Sequence, residues 1–425
     1  MVKKDIQIPL TDLITSLSDV IDLVNPALVN HHQMVAYAAY NIAAHMGLPA
    51  KQRNELVLAG KLHDIGALAS KERAKTMQFE LSNPQRHAEM GWLLLRGFEP
   101  LSGVAELIRF HHVRCDAGET GITVSPDVMV GSHILHLADR VAVLLRKTVN
   151  PLAQQKRICR QIVEQSGGMF LPQVVKAFLK LAEKEYFWLD LCAPSLGSFL
   201  TRRITLETIE LDLNGLLALS NIFAKIIDFR CPFTATHSSG VAASAAALAR
   251  LAGCSERECE MMKVAGFFHD LGKLAVPAEI LEKPGRLSPR QQEIVRCHPF
   301  YTYRTLERID DLSTINSWCS FHHESLDGTG YPFRLTQRSL PLGSRIMSVA
   351  DVFTAITEDR PYREGMSADR AFAVLDEMVA NAALDGNVVN LLASNFDEIN
   401  SVRIAAQGVT VNEYRDLQHQ LVGYA

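Results

Sequence analysis

The sequence predicts an all-α protein built as two helical bundles in tandem. Three observations carry that prediction. Apolar residues recur with the 3.6-residue period of a helix along most of the chain, while the alternation expected of a half-buried strand is scarce. The periodic stretches are rich in alanine, which lets helices pack closely. A set of short histidine- and aspartate-bearing motifs also occurs twice in the same order, roughly 210 residues apart.

In chain order, the opening MVKKDIQIPLTDLITSL carries Asp5 and Pro9 inside any apolar core, which makes it a poor secretory signal. MVAYAAYNIAAHMGL (Met34–Leu48) reads as the first amphipathic or buried helix. KLHDIGALA (Lys61–Ala69), His87, FHHVRCDAGETG (Phe110–Gly121) and GSHILHLADRV (Gly131–Val141) follow it. At LCAPSLGSFLTRR (Leu191–Arg203) proline and glycine interrupt the helical pattern, which places the boundary there and gives domains 1–200 and 201–425. The order then restarts. His237 opens the helix SGVAASAAALARLAG (Ser239–Gly253), and FFHDLGKLA (Phe267–Ala275) sets His269 and Asp270 near the end of the next long helix. RCHPFYTY carries His298, FHHESLDGTGYP (Phe321–Pro332) carries His322 and His323, and GSRIMSVADVF (Gly343–Phe353) puts Asp351 on a helix. DRAFAVLDEMVAN (Asp369–Asn381) reads as one more. His31 thus pairs with His237, His63 with His269, His87 with His298, His111 with His322, and Asp139 with Asp351. Five such pairs in order mean a tandem duplication.

Composition narrows the function classes. The chain has 425 residues, 48% hydrophobic and 21% charged, with a net charge of −4, so no global basic field draws it to long nucleic acid or to a membrane surface. No run of about 18 apolar residues suggests a membrane span. Eight scattered cysteines without CxxC spacing fit reduced thiols in the cytoplasm.

Fifteen histidines in this length would give roughly half an adjacent pair by chance, and three occur, at His31/His32, His111/His112 and His322/His323. In the second copy His237, His269, Asp270, His298, His322, His323 and Asp351 lie in or beside apolar flanks such as VAGFFHDLG and IMSVADVF. Burying so many hydrogen-bonding groups is costly without partners, and metal ions would supply them. Mixed imidazole and carboxylate ligands suit Fe, Mn, Ni or Zn better than Mg or Ca. A single histidine is more often a core or surface residue, but ten of the fifteen fall in this twice-repeated set. His32, His45, His133, His136 and His419 fall outside it and are read as ordinary structural histidines.

The order H…HD…H…HH…D resembles that of the HD superfamily of metal-dependent phosphohydrolases. The second copy is further similar to the HD-GYP subfamily through HDLGKLAVPAEILEKPGRLS, HP, FHHESLDGTGYP and SRIMSVADVFTAITEDRPYR, from His269 to Arg363. That resemblance implies tandem HD-domain helical bundles, the first a divergent copy and the second an intact one. It implies a metal-dependent phosphodiesterase that opens 3′,3′-cyclic GMP-AMP or cyclic di-GMP to the linear dinucleotide with a metal-activated water. The tandem arrangement is similar to HD-GYP enzymes that hydrolyse 3′,3′-cyclic GMP-AMP. The expected cofactors are two transition-metal ions, Fe, Mn or Ni, held by the seven residues of the second copy, with Asp270 as the bridge. Some family members use a Glu four residues before the first histidine for a third ion; Phe233 stands there and cannot coordinate. Lys273, in the HDxGK position, would hold phosphate, and with Asp270 it is the expected catalytic pair. Tyr331, Arg360 and Arg363 would contact substrate, the arginines through their bidentate forks.

The first copy keeps the ligand types at His31, His63, Asp64, His87, His111, His112 and Asp139 and loses the substrate cradle. Ala67 replaces the lysine, Thr120 the tyrosine, and Thr148 and Pro151 the two arginines. It is expected to bind metal without taking cyclic dinucleotide in the usual way. Two roles stay open: a brace or regulator of the second copy, or a phosphohydrolase for another substrate such as a terminal phosphate. For the whole chain the competing classes are a non-catalytic cyclic-dinucleotide sensor and another HD nucleotide phosphohydrolase. Homodimerisation is left open.

Overall fold

The computed structural model describes residues 6–23, 30–68, 84–116, 124–193, 196–197, 209–230, 235–283, 285–359 and 364–422. Helices dominate among them. The strands are the pairs Ile8–Pro9 and Glu210–Leu211, antiparallel with Ile8 opposite Leu211. The chain divides into two compact units, one of Leu10–Ile209 and the other of Glu210–Gln420 joined by the Ile8–Pro9 strand. Of the boundary stretch Leu191–Arg203, residues 194–195 and 198–203 lie outside the described residues. Among the described residues no helix is long and apolar enough to cross a membrane.

The duplication is visible as a repeated order of elements. In the first unit the helix His31–His45 packs against Ala50–Leu62 and Pro126–Leu144. In the second, His237–Leu251 packs against Glu256–Phe268 and Leu342–Thr357. The alanine-rich stretches are the buried helices of each unit, with Ala36, Ala38, Ala39 and Ala245 fully buried. Their boundaries follow local chemistry. Ser255 and Glu258 exchange bonds in a capping box that starts Glu256–Phe268, and Ser288 does the same with Gln291 ahead of Pro289–Arg296.

Two glycine positions, each present in both copies, explain how closely these elements meet. A Cβ on Gly60 would lie 2.6 Å from the Ala36 Cα, and one on Gly266 would lie 2.5 Å from the Ala242 Cα. A Cβ on Gly66 would lie 2.1 Å from the His87 carbonyl oxygen, and one on Gly272 would lie 1.9 Å from that of His298. Only glycine permits these crossings. They bring the helix ends that carry His63–Asp64 and His269–Asp270 against the helices that carry His87 and His298.

The copies diverge after the aspartate helix. The first unit continues with Pro151–Glu164, Pro172–Ala182 and Glu185–Leu191, packed around Phe170, Phe178, Phe187 and Trp188. The second continues with Ala368–Ala380, Gly386–Ser394 and the long Phe396–Leu421.

Candidate metal centre

In the second unit every predicted cluster residue sits at an element end or on an inward face. His237 is the first residue of its helix, and His269 follows the end of Glu256–Phe268. Asp270 precedes a short 3₁₀ turn, Leu271–Ala275, so the long helix stops one residue before the motif histidine. His298 opens the helix His298–Leu306, His322 and His323 follow the end of Ser313–Ser320, and Asp351 lies within Leu342–Thr357. Ligand atoms of His237, His269 and Asp270 all lie within 4.8 Å of one another, as do those of His298, His322 and His323. Asp270 faces both trios: its Oδ2 lies 3.3 Å from His269 Nε2 and its Oδ1 3.2 Å from His298 Nε2. Asp351 Oδ1 closes the first trio, 3.1 Å from His237 Nε2 and 4.0 Å from His269 Nε2.

The imidazoles are pinned by their other nitrogens. His269 Nδ1 lies 2.7 Å from the Gly266 carbonyl oxygen, His298 Nδ1 2.8 Å from that of Val295, and His322 Nδ1 2.6 Å from that of Cys319. With each Nδ1–H donating outward, each Nε2 is left with its lone pair facing the cluster, the arrangement found behind metal-ligating histidines. Among the described residues the buried His269 Nε2 meets no partner in good hydrogen-bond geometry. This donor set fits transition-metal ions. Burial, helped by neighbouring imidazoles, pushes His322 well below its ordinary value and His323 down to about 3; the same burial takes His298 to about 3 against the pull of Asp270. This trio is therefore neutral at physiological pH. Burial opposes ionisation of Asp270, yet His269 and Lys273 outweigh it and hold the carboxyl well below the usual range.

The first unit repeats this geometry. His31, His63 and Asp64 form one trio, and His87, His111 and His112 the other, each within 4.8 Å. Asp64 again faces both, with Oδ2 3.5 Å from His63 Nε2 and Oδ1 3.6 Å from His87 Nε2. His63 and His111 are held through Nδ1 by the carbonyls of Gly60 and Ile108, at 3.0 and 2.6 Å. Asp139 Oδ1 lies 3.4 Å from His31 Nε2 and 3.7 Å from His63 Nε2, and among the described residues none of these three atoms makes a hydrogen bond that satisfies distance and angle. His32 and His136, set apart in the sequence reading, pack here too. The His32 ring is 5.2 Å from that of His63, and the His136 ring 5.0 Å from that of His112.

The surroundings of the two clusters differ. All seven cluster residues of the first unit are buried, whereas His323, Asp351, Lys273 and Tyr331 of the second are partly exposed. Lys273 Nζ lies 2.5 Å from Asp270 Oδ2, so its ammonium sits on the shared carboxylate. The Tyr331 ring lies 4.9 Å from that of His323. Arg360 and Arg363 lie outside the described residues, as do Phe233 and Thr120.

Five neighbours escaped the sequence reading. Glu358 Oε2 lies 3.3 Å from His237 Nδ1 and accepts from Gln407 Nε2 of the last helix. Burial would push the His237 imidazole down, but Glu358 and Asp351 carry it up to about 10. Asp228 accepts from the backbone and hydroxyl of Ser238, at 2.9 and 3.0 Å, and so fixes the start of the His237 helix. Glu324 accepts from the backbone amides of Phe333 and Leu335, at 2.6 and 2.9 Å, and so holds the turn that presents Tyr331. The Arg296 guanidinium lies over the Tyr331 ring at 4.3 Å. In the first unit Arg140 is buried and bonds to Asp139 Oδ2 through Nη2 and Nε. Each adjoins a predicted residue, but only Glu324 and Arg140 are close to theirs in sequence.

The HD domain family profile matches residues 15–160 and again 221–388. The chain belongs to the HD domain family. It is 29% identical over 387 residues to the 3′3′-cGAMP-specific phosphodiesterase 1 of Vibrio cholerae, covering 89% of each chain. It is 33% identical over 224 residues to the 3′3′-cGAMP-specific phosphodiesterase 3 of the same organism, covering 52% of this chain and 49% of that one. It is 41% identical over 146 residues to the cyclic di-GMP phosphodiesterase PA4108 of Pseudomonas aeruginosa, covering 34% of this chain and 35% of that one. A crystal structure of a V. cholerae cyclic GMP-AMP-specific phosphodiesterase, V-cGAP3, shares the fold with a TM-score of 0.63. It is 23% identical, over 92% of this chain and 98% of that one. The all-α tandem architecture expected from the sequence is thus observed.

Proposed function

We propose that the second copy, residues 201–425, is a metal-dependent phosphodiesterase that opens 3′,3′-cyclic GMP-AMP or cyclic di-GMP to the linear dinucleotide. The observation that carries this reading is the Asp270 carboxylate, which sets one oxygen beside His269 and the other beside His298 of the histidine trio, with the partly exposed Lys273 and Tyr331 next to the cluster. The names of the V. cholerae and P. aeruginosa relatives supply the substrate class. His237, His269, Asp270 and Asp351 would hold one ion, and Asp270, His298, His322 and His323 the other, with Fe, Mn or Ni as the candidates. Bound there, the ions would supply Lewis acidity toward phosphate and an activated water.

The chain's own groups do the rest. Glu358 keeps the His237 ring turned toward the cluster, and the carbonyls of Gly266, Val295 and Cys319 do the same for the other rings. Lys273 is one ammonium away from the shared carboxylate and can swing to the phosphate oxygens as negative charge builds there. Burial pushes the Tyr331 phenol up to about 12, so its hydroxyl remains a hydrogen-bond donor throughout the working pH range. Arg360 and Arg363 are proposed as further phosphate contacts. The first copy, residues 1–200, keeps a metal-binding set without this cradle. The reading places the protein in the cytoplasm, consistent with the unpaired state of the described cysteines.

The test is turnover of cyclic di-GMP, 3′,3′-cyclic GMP-AMP and cyclic di-AMP by the Mn- and Fe-loaded chain, with products separated by chromatography. Formation of the linear dinucleotide from either of the first two is expected. Loaded protein that binds these ligands without converting them would overturn the enzyme reading in favour of a sensor.

A further inference from the structure

The helix Phe396–Leu421 buries polar groups and leaves apolar ones in solvent. It has two apolar anchors, the buried Ile399 and Tyr414, whose ring meets that of Phe229 at 4.7 Å. Between them the buried stripe is Arg403, Gln407 and Thr410, while Val402, Ile404 and Val409 stand 39%, 54% and 60% exposed. A helix held by packing alone shows the reverse. This helix also lies beyond residues 221–388, the second stretch that the family profile matches.

The buried polar groups lead to His237. A guanidinium carries donors only, so the 2.6 Å contact from Arg403 Nη1 makes Gln407 Oε1 the acceptor and turns Nε2 the other way. That Nε2 donates to Glu358 Oε2 at 3.2 Å and to the Thr236 carbonyl oxygen at 3.4 Å. Glu358 Oε2 in turn lies 3.3 Å from His237 Nδ1, and Thr236 is the residue before His237. Arg403 is itself clamped. It donates to Asn400 Oδ1 at 2.8 and 3.1 Å, and to the Thr357 carbonyl oxygen at 3.5 Å. Gly240 makes room for the amide, since a Cβ there would lie 2.9 Å from Gln407 Nε2. The first copy keeps neither part: by position in the repeat, Met34 replaces Gly240 and Arg146 replaces Glu358.

With His237 read as a ligand of the second centre, we propose that the helix Phe396–Leu421 completes that centre and that Gln407 is its positioning residue. Gln407 holds the Glu358 carboxylate on His237 Nδ1, and Arg403 holds Gln407 in the orientation that does so. A ligand imidazole is fixed on its ion by the partner of its other ring nitrogen. Gln407 acts on the Nδ1 side of the ring, while the cluster lies at Nε2. Its loss therefore weakens metal retention and leaves the loaded centre able to react. The second unit draws part of its metal affinity from a segment outside the matched domain.

The experiment measures the Mn(II) concentration that half-activates hydrolysis of 3′,3′-cyclic GMP-AMP and cyclic di-GMP by the full chain. Gln407→Met keeps the length of the side chain and removes its donor, and circular dichroism checks its helicity. The Mn(II) requirement should rise about tenfold, the low end for loss of such a partner, and saturating Mn(II) should restore turnover. In a Glu358→Ala background the same change should add nothing, because no carboxylate is left to hold. A folded Gln407→Met chain with an unaltered Mn(II) requirement overturns the proposal. So does a rise of equal size in the Glu358→Ala background, the result of a merely structural role, or a loss that saturating Mn(II) does not restore. Where Gln407→Met fails to fold, Gly240→Ala crowds the amide from the His237 helix. The same rise is expected there, and an unchanged requirement overturns the proposal. An unaltered chain whose turnover does not respond to Mn(II) contradicts the metal-dependent reading of the second unit, and the role of Gln407 falls with it.

Discussion

His237 is held from both sides, by Asp351 at Nε2 and by Glu358 at Nδ1, and the ligand role proposed for it depends on the second of these. Glu358→Gln keeps the shape of the side chain and removes the charge that turns the ring. Metal affinity of the second unit should fall roughly ten- to hundredfold, the usual cost of losing such a partner, as read by competition with a coloured chelator. An unchanged affinity would mean that Asp351 alone orients the ring. Beside the cluster, Tyr331→Phe removes a donor that stays protonated up to about pH 12. Turnover should drop while the alkaline limb of the pH profile stays where it was. A limb that moves would show that the phenol titrates in the working range after all.

The turn from Asp327 to Pro332 is an element built by one carboxylate. Glu324 gathers two backbone amides from its far side, and a Cβ on Gly330 would come within 2.3 Å of the Ser325 nitrogen. The corresponding residue in the first copy is Val113, which can gather no amides. Glu324→Gln should raise KM for cyclic dinucleotide while metal content holds; loss of metal along with activity would show that the turn also supports the histidines. At the crossing of the 3₁₀ turn with the His298 helix, Gly272→Ala forces a methyl onto a carbonyl at 1.9 Å. Overpacking of this kind costs about 1–3 kcal/mol, visible as a lower midpoint in thermal denaturation.

At this scale the sequence was most readable. The buried helices carried their period openly, and His31–His45, His237–Leu251 and Ala368–Ala380 lie within a turn of the stretches read from periodicity. Both sets of seven cluster residues announced themselves by recurring at matched spacing. What stayed hidden is pairing across long separations: Glu358 meets His237 from 121 residues away, and nothing in ITEDRPYR marks it as a partner for imidazole. Arg140 was hidden for another reason. It lies next to Asp139 in sequence, but an arginine after an aspartate on a helix ordinarily faces water, and only the packed bundle shows it buried. The motif implies a phosphate role for Lys273, and what it does not reveal is that the ammonium rests on Asp270.

Over the whole molecule, each unit gathers buried imidazoles and carboxylates whose protonation is tied to folding and to metal. In the metal-free chain burial opposes the charged imidazoles, yet carboxylates carry His237 to about 10 and His63 to about 9, above their ordinary 6.5. Their contribution to stability is complete below pH 6.5 and is lost as pH rises through 9 to 10. Asp270 and Asp351 are held below the ordinary carboxylate value, so their contribution is present above about 4 and lost as pH falls below it. The buried neutral histidines, among them His298, His322 and His323, cost stability as pH falls below 6.5, where the unfolded chain takes up protons that the folded one refuses, so the metal-free protein should be most stable near pH 6.5. Metal must displace the imidazole protons, so the rise in thermal midpoint on adding Mn(II) should be larger at pH 8 than at pH 6. An equal rise at both would contradict the protonation states described.

The central claim is a division of labour: both units keep the ligand geometry, and only the second opens it to substrate. The most direct measurement is cyclic dinucleotide turnover by two purified, folded double variants, His63→Ala/Asp64→Asn and His269→Ala/Asp270→Asn, beside the unaltered chain. The first should retain formation of the linear dinucleotide, and the second should lose it entirely. Turnover that survives in the second variant, or that depends equally on both, would contradict the account.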